Sequence, residues 1–363
     1  MKAQNLGGGS YLVEMPVELN ELDEKPYLSA CPPLESGKES SLLMDFSKVR
    51  RINGLGASMM VKLNALAGRR RQRTIAFGMS DQHRTVFDLT GLNHAMQICR
   101  DGVEAYKFAG LPVTAAPESS APVAADDVAA WAPPVARLTV PPLPSQAINL
   151  NMAGRRVVGP VDGFGPLWQK TYRLPLRETA LSPEGVIEVL KRDFPRFQPE
   201  YNRFYPTGKG IAPGEVVAID SSTPGGPVST GVMVLYADDV SFTFITPQGH
   251  PESGWVTFSA FRSGGNLIAQ IVGLARANDP VYELAFRAVG SKMQIKIWTH
   301  VLSSLAKNLG MPPEVSVEAV CIDRGVRWAQ SGNLWYNAQI RTILSAPVWW
   351  TGKKMSRRRV ARS

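Results

Sequence analysis

Apolar positions recur along this chain in two rhythms. Near the start, Tyr11-Leu12-Val13-Glu14-Met15-Pro16-Val17 and Ser41-Leu42-Leu43-Met44-Asp45-Phe46 are short apolar runs of strand length. Asn53-Gly54-Leu55-Gly56 is a turn with an N-cap. It leads into Ala57 to Ala67, where Met60, Leu63, Leu66 and Ala67 fall at helical spacing. Thr74 to Met79 is a further short strand, and Asp81 to Leu89 is a second helix with Val86, Phe87 and Leu89 apolar. Strands alternating with helices predict an α/β sheet layer with helices packed on it.

The rhythm changes in the second half. Leu167 to Leu174 reads as a strand, and Ser182-Pro183 opens a helix as N-cap and first-turn proline. A strand series follows at Val216 to Ile219, Gly231 to Tyr236, Ser241 to Thr246, Gly254 to Ser259 and Leu267 to Leu274. Short turn clusters separate them, among them Pro247-Gln248-Gly249-His250-Pro251-Glu252, so they predict antiparallel hairpins. Asp279-Pro280 then opens a long helix over Val281 to Leu309, with Gly290 a place for a bend and Gly310 the stop. Val315 to Cys321 adds a strand and Asn333 to Leu344 a short helix.

Between the halves, residues 114–147 hold ten Ala and seven Pro among 34 residues. Such a stretch neither continues a helix nor pairs inside a sheet, so it reads as an extended, partly stiff linker. Trp131 is its one large anchor, either docked on a domain or exposed. The expected organisation is a domain over 1–113, the linker over 114–147, a domain over 148–352 and a basic tail over 353–363.

Several residues in the first part resemble a known family. Leu42-Leu43-Met44-Asp45-Phe46, then Ile52-Asn53-Gly54-Leu55-Gly56-Ala57, then Phe87-Asp88-Leu89-Thr90-Gly91-Leu92 are similar to a STAS domain, the fold of anti-sigma factor antagonists. The resemblance covers most of residues 10–110. It implies binding of a protein partner of anti-sigma or kinase type through Asn53, Gly54, Leu55, Gly56, Ser58 and Met59. In phosphorylatable members the turn carries hydroxyl residues, whereas Leu55 stands here at the phosphoacceptor position. A phosphate at a helix N-terminus is how such a switch acts, so this domain is expected to bind without being phosphorylated.

In the second half, one early helix, a run of antiparallel strands and a long C-terminal helix follow the order of the helix-grip architecture. The segments Gly163 to Tyr172, Asn202-Arg203-Phe204-Tyr205 and Phe242 to Pro251 resemble an uncharacterised bacterial family of START-like (SRPBCC) proteins. This resemblance covers about residues 155–345. It implies a curved antiparallel sheet around a long helix, enclosing a cavity for a small apolar ligand. Trp168, Tyr172, Tyr236, Phe244, Trp255, Phe258 and Trp298 are the aromatic candidates to line it, weighed against ordinary core packing.

Little else carries chemistry. His83, His94, His250 and His300 form no zinc spacing, and no cofactor or metal is expected. Gly159 to Pro166 lacks the spacing of a phosphate loop, and there is no GxSxG. His250 and Glu252 are the one candidate acid/base pair; a carboxylate beside the imidazole would raise its pKa, and a structured turn is the competing account. The expectation is therefore a non-enzymatic adaptor, with an enzyme using His250 and Glu252 as the alternative.

Charge alters this picture only at one end. The net charge is +9, but residues 353–363 hold six basic and no acidic side chains, leaving +3 elsewhere. That distribution argues against a nucleic-acid-binding domain. With Trp349-Trp350 the tail suggests contact with an anionic membrane surface, against a solvated terminus. No apolar run reaches the ~18 residues of a membrane span. Cys31, Cys99 and Cys321 form no disulfide framework, which predicts a cytoplasmic protein.

Overall fold

The structure, a computed structural model, describes residues 3–20, 40–117, 121–177 and 179–345. In the first part, β1 (Ala3–Gly7), β2 (Ser10–Glu14), β3 (Glu18–Leu19), β4 (Ser40–Asp45) and β5 (Arg51–Ile52) precede helix α1 (Gly54–Arg69). Then come β6 (Gln72–Phe77), α2 (Asp81–Thr90), β7 (Gln97–Ile98) and α3 (Gly102–Ala109). The main sheet has the order β1-β2-β4-β6-β7, with only β1 antiparallel to its neighbour. Asn53 caps α1 by accepting hydrogen bonds from the amides of Leu55 at 3.0 Å and Gly56 at 2.9 Å, which satisfies two of the orphan donors at a helix start.

The second part contains β8 (Val157–Val158), β9 (Leu167–Leu176), α4 (Pro183–Asp193), β10 (Asn202–Pro206), β11 (Val216–Thr223), β12 (Gly226–Ala237), β13 (Ser241–Pro247), β14 (Glu252–Ser263) and β15 (Asn266–Ala277). Helix α5 (Pro280–Ala285), helix α6 (Ser291–Asn308) and β16 (Ser316–Asp323) follow. The antiparallel sheet has the order β10-β11-β12-β13-β14-β15-β9-β16, with β8 pairing the end of β13. Its inner face packs on α4 and α6, with Trp298, Val301, Leu302 and Leu305 of α6 in the same core as Tyr172, Phe244 and Phe258. This is the helix-grip arrangement. The helix expected as one run is instead interrupted by a π-helical segment at Phe286–Gly290, which ends at the glycine expected to bend it. Beyond β16 lie a 3-10 turn series at Trp328–Tyr336 and a helix over 338–345.

Both faces of the large sheet are covered. Val217, Val232, Val234 and Phe244 point to the inner core, while Val216, Met233, Leu235 and Ile245 join a core shared with α1 and α2. Strands buried on both sides read as continuous apolar runs, which is why these stretches show no alternation. The outer face receives α1 directly. A Cβ on Gly54 would overlap Thr243 Oγ1 and lie 2.7 Å from Thr257 Oγ1, so only glycine admits this approach. Trp255 Nε1 donates to Ser58 Oγ at 2.7 Å, and Lys62 Nζ donates to Gln169 Oε1 at 2.7 Å.

The Ala/Pro stretch is extended, as its prolines require, but pinned along its described length. Ala132 N donates to Leu235 O at 2.9 Å and Leu138 N to Arg155 O at 2.8 Å. Trp131 is docked: its ring lies 4.9 Å from that of Tyr236, edge-on, and its Nε1 donates to Ile52 O at 3.0 Å. Asp127 accepts from Ile52 N at 2.8 Å and stands 3.9 Å from buried His83. The stretch thus straps the two parts together, with Trp131 docked rather than exposed. No helix of the described residues is long and apolar enough to cross a membrane. Trp349-Trp350 and the basic tail at 353–363 lie outside the described residues.

Candidate functional site

A cavity of about 460 Å³ separates the inner face of β11–β15 from α5, the π-helical segment and α6. Its walls are mainly apolar, with Phe204, Ile219, Phe244, Phe286, Ile297 and Trp298 prominent. At one end it is bounded by the exposed residues Pro224, Gly225, Ala285 and Ala288. Sheet and helix fail to close on one another here, whereas next to α4 the space is filled. There Phe194, Phe242, Phe244 and Phe258 interlock, Phe242 and Phe258 stacking at 4.6 Å between ring centroids.

The turn between β13 and β14 brings polar groups to the cavity. Gly249 has φ +92°, a left-handed backbone suited to glycine, and its carbonyl accepts from Ala338 N at 2.8 Å. His250 then folds back on the start of β14. Its Nδ1 lies 3.0 Å from both the amide nitrogen and the carbonyl oxygen of Glu252. It accepts from the amide when the proton is on Nε2, or donates to the carbonyl when it is on Nδ1. Burial pushes the His250 imidazole down to about 4, so it is neutral at pH 7. The expected rise in its pKa beside a carboxylate is not found, because Glu252 meets it through the main chain.

The Glu252 carboxylate instead accepts from Gln294 Nε2 of α6 at 2.8 Å. Gln294 Oε1 in turn accepts from Lys170 Nζ of β9. Burial raises the Glu252 carboxyl, against the opposing pull of Lys170 and Gln294, and burial lowers the Lys170 ammonium. An amide thus bridges a buried acid and a buried base. The wall they form is shared with an adjoining pocket of about 220 Å³, which Trp168, Lys170 and Arg276 also line. Sequence reasoning missed Lys170 and Gln294. The available signal was Lys170 standing two residues before Tyr172 in a strand, hence on the same buried face.

The aromatic candidates separate by face. Phe244 and Trp298 line the cavity, and Trp168 lines the adjoining pocket. Tyr172 and Phe258 are fully buried in the inner core without reaching the lining. Tyr236 would point inward by strict alternation from Val232 and Val234. A register shift between Val234 and Tyr236 turns it outward onto Trp131. Trp255 borders the cavity, yet its indole reaches the outer face to Ser58. The turn residues Gly54, Leu55, Gly56, Ser58 and Met59 are buried and Asn53 half-buried, at the junction with the protein's own sheet. Among the described residues no group of three His, Cys, Asp or Glu is placed to hold a metal ion.

No family model and no curated protein matches the chain. Among solved structures it is similar to the di-domain ARO/CYC StfQ from the steffimycin biosynthetic pathway, at 11% identity and TM-score 0.32. That match covers 42% of this chain and 54% of StfQ, so the chain spans about half of that protein. Protein Ms6760 from Mycobacterium smegmatis matches at 14% identity and TM-score 0.30, over 47% of this chain and 98% of its own. Ara h 8.0201 matches at 12% identity and TM-score 0.28, over 39% of this chain and 99% of its own.

Proposed function

We propose that this protein is a non-enzymatic regulator that binds a small apolar ligand in the helix-grip cavity and couples that site to its first domain. The observation that carries the reading is the cavity of about 460 Å³ with apolar walls, set between sheet and helix. The same strands meet the cavity on one face and α1 on the other, which gives occupancy a direct physical route to the docked domain. The first domain is read as a STAS-like module, on its sequence resemblance and its layered α/β form. Its turn at Asn53 to Met59 is engaged in cis, so an anti-sigma or kinase-like partner would compete with the sheet for it. Native mass spectrometry of the full chain purified from its host tests the ligand claim. A co-purifying small molecule is expected, and it should be lost in Ile297→Trp, where the new ring fills the cavity. A protein that carries nothing and takes up no apolar probe would refute it.

One observation favours a second reading, an enzyme: His250 and Glu252 both line the cavity. It requires that a bound compound be chemically changed on incubation, and that His250→Asn stop the change. A ligand recovered unaltered from the wild type leaves binding as the function.

A further inference from the structure

The helix over 338–345 is docked by its polar side. Its buried positions are Ala338 and Thr342, and the Thr342 hydroxyl accepts from Ser229 N at 3.0 Å. Its apolar Ile340, Ile343 and Leu344 stand three and four apart on the exposed side, with Leu344 73% exposed. A surface helix ordinarily turns its apolar stripe toward the core. The turn series before it adds Trp335, 81% exposed, and Tyr336. Polar contacts fix this orientation. Asn151 Nδ2 donates to Ala338 O at 3.2 Å, Asn337 Nδ2 to Asp279 Oδ2 at 2.9 Å and Gln339 Nε2 to Thr223 Oγ1 at 2.9 Å. Single exposed apolar residues are ordinary, whereas a group of them held outward marks an interaction surface.

Cations border this group. Arg155, Arg341 and Leu344 line one surface pocket. The Arg155 guanidinium lies 5.0 Å from the centroid of the Tyr336 ring, and Arg341 Nε donates to Asn151 Oδ1 at 3.2 Å. Arg137 reaches the same pocket, donating to Gly154 O at 2.9 Å. The ion-paired arginines of the described residues lie elsewhere, so none of these three has a carboxylate partner among them. Burial and the nearby Arg341 charge lower the Arg155 guanidinium from its ordinary range, and an anion in the pocket would offset both. The sequence extends the same charge. Residues 324–363 hold nine basic and no acidic side chains, so this stretch carries the whole net charge of +9 and residues 1–323 balance.

We infer that the face formed by residues 335–344, with Arg155 and Arg341, is a docking surface for an anionic phospholipid bilayer. The apolar side chains enter the boundary between headgroups and acyl chains, Trp335 and Tyr336 sit at headgroup level, and the two guanidinium groups take lipid phosphates. Charge complementarity selects this occupant. A two-fold interface with a second copy would set Arg155 and Arg341 against their own images, and a nucleic acid would leave the apolar side of the helix in water. The docking holds whatever the cavity binds.

The test is sedimentation of the full chain with vesicles at pH 7, at low salt and with added sodium chloride. Phosphatidylcholine vesicles containing about one-third phosphatidylserine should bind the wild type roughly tenfold or more tighter than phosphatidylcholine alone. Trp335→Ser combined with Leu344→Ser, both at exposed positions, should leave the thermal melt in place and weaken binding to the anionic vesicles about tenfold or more. Arg155→Gln combined with Arg341→Gln should weaken it about fivefold or more and flatten its salt dependence. Wild-type binding by both variants would assign the contact to residues 353–363 and overturn the inference. So would equal binding to the two lipid compositions, or binding to neither. A dimer in solution that Trp335→Ser with Leu344→Ser dissolves would make a second copy the occupant and overturn it as well.

Discussion

The two faces of the large sheet are built from the same strands and end in opposite states. On the outer face, side chains and backbone interlock: Gly54 sits against Thr243 and Thr257, and Trp131 against Tyr236. On the inner face, the packing around Phe194 gives way to an open cavity of about 460 Å³. Dense packing is what holds most interiors together, so a gap beside a well-packed sheet marks a place where closure is not the purpose. The outer face is closed by packing against the first part, and the inner face holds both a core and the cavity proposed above as a ligand site. Substitutions on one face should therefore leave the other's packing in place, and any shift in probe affinity they cause measures the coupling proposed above.

The largest effect is expected at Trp131. Replacing this buried indole with alanine removes its contact with Tyr236 and the hydrogen bond to Ile52 O. Loss of a buried tryptophan costs about 3–5 kcal/mol. Denaturant unfolding of Trp131→Ala should split into two transitions where the wild type has one, as the parts cease to unfold together. Uptake of an apolar probe at low denaturant should persist. A single, unshifted transition would show that the strap does not join the two parts.

Gly54→Val comes next. The added Cβ collides with Thr243 and Thr257, which lie in the middle of paired strands and cannot move aside. Overpacking of this kind costs about 1–3 kcal/mol. Limited proteolysis between residues 121 and 147 should accelerate, because cleavage follows the population of the opened form. If cleavage is unchanged, α1 does not depend on this close approach.

Acid should act on the inner face. The His250 imidazole is held down to about 4 in the folded protein, against an ordinary value near 6.5. Between these values the unfolded chain binds the proton and the folded chain does not, so stability falls as pH drops through that window. From pH 7 to pH 5 the loss attributable to His250 is about 2 kcal/mol. His83, buried beside Asp127, is also lowered by burial and adds to the slope in the same direction. Thermal melts of His250→Asn across this range should be flatter than those of the wild type. An equal slope would place the acid sensitivity at the strap rather than at the cavity.

How much of this was legible follows from the range over which each feature is encoded. The longer strands of both parts, the Asn53 cap and the Ser182-Pro183 helix start are local patterns and appear where the residues predict them, whereas β1, β3, β5, β7, β8 and β10 were not read from the sequence. The face of each aromatic is less local. Tyr236 was misdirected by one bulge, which no period-2 count can reveal. Trp255 and Phe258 are three apart, so on a regular strand they cannot share a face, a constraint present in the sequence. The bridge is the least local feature: Lys170 and Gln294 are 124 residues apart, and Gln294 and Glu252 are 42 apart. Only the strand order, which sets β9 beside β15 and under α6, brings them together. Docking of the first part was similarly hidden, since Gly54 reads as a turn residue until Thr243 is placed against it.

The smallest effect tests whether the outer face is held by shape or by polar contacts. Trp255→Phe keeps most of the apolar body but removes the N–H that donates to Ser58 Oγ at 2.7 Å. Ser58 Oγ still donates to Gly54 O at 2.9 Å, so its own proton remains satisfied and only one acceptor site is lost. A net loss of about 1 kcal/mol is expected, the ordinary contribution of such a bond. Cleavage between residues 121 and 147 should rise less than in Gly54→Val. A larger loss than in Gly54→Val would mean that the hydrogen bond, and not the close fit of α1 on the sheet, is what keeps the outer face shut.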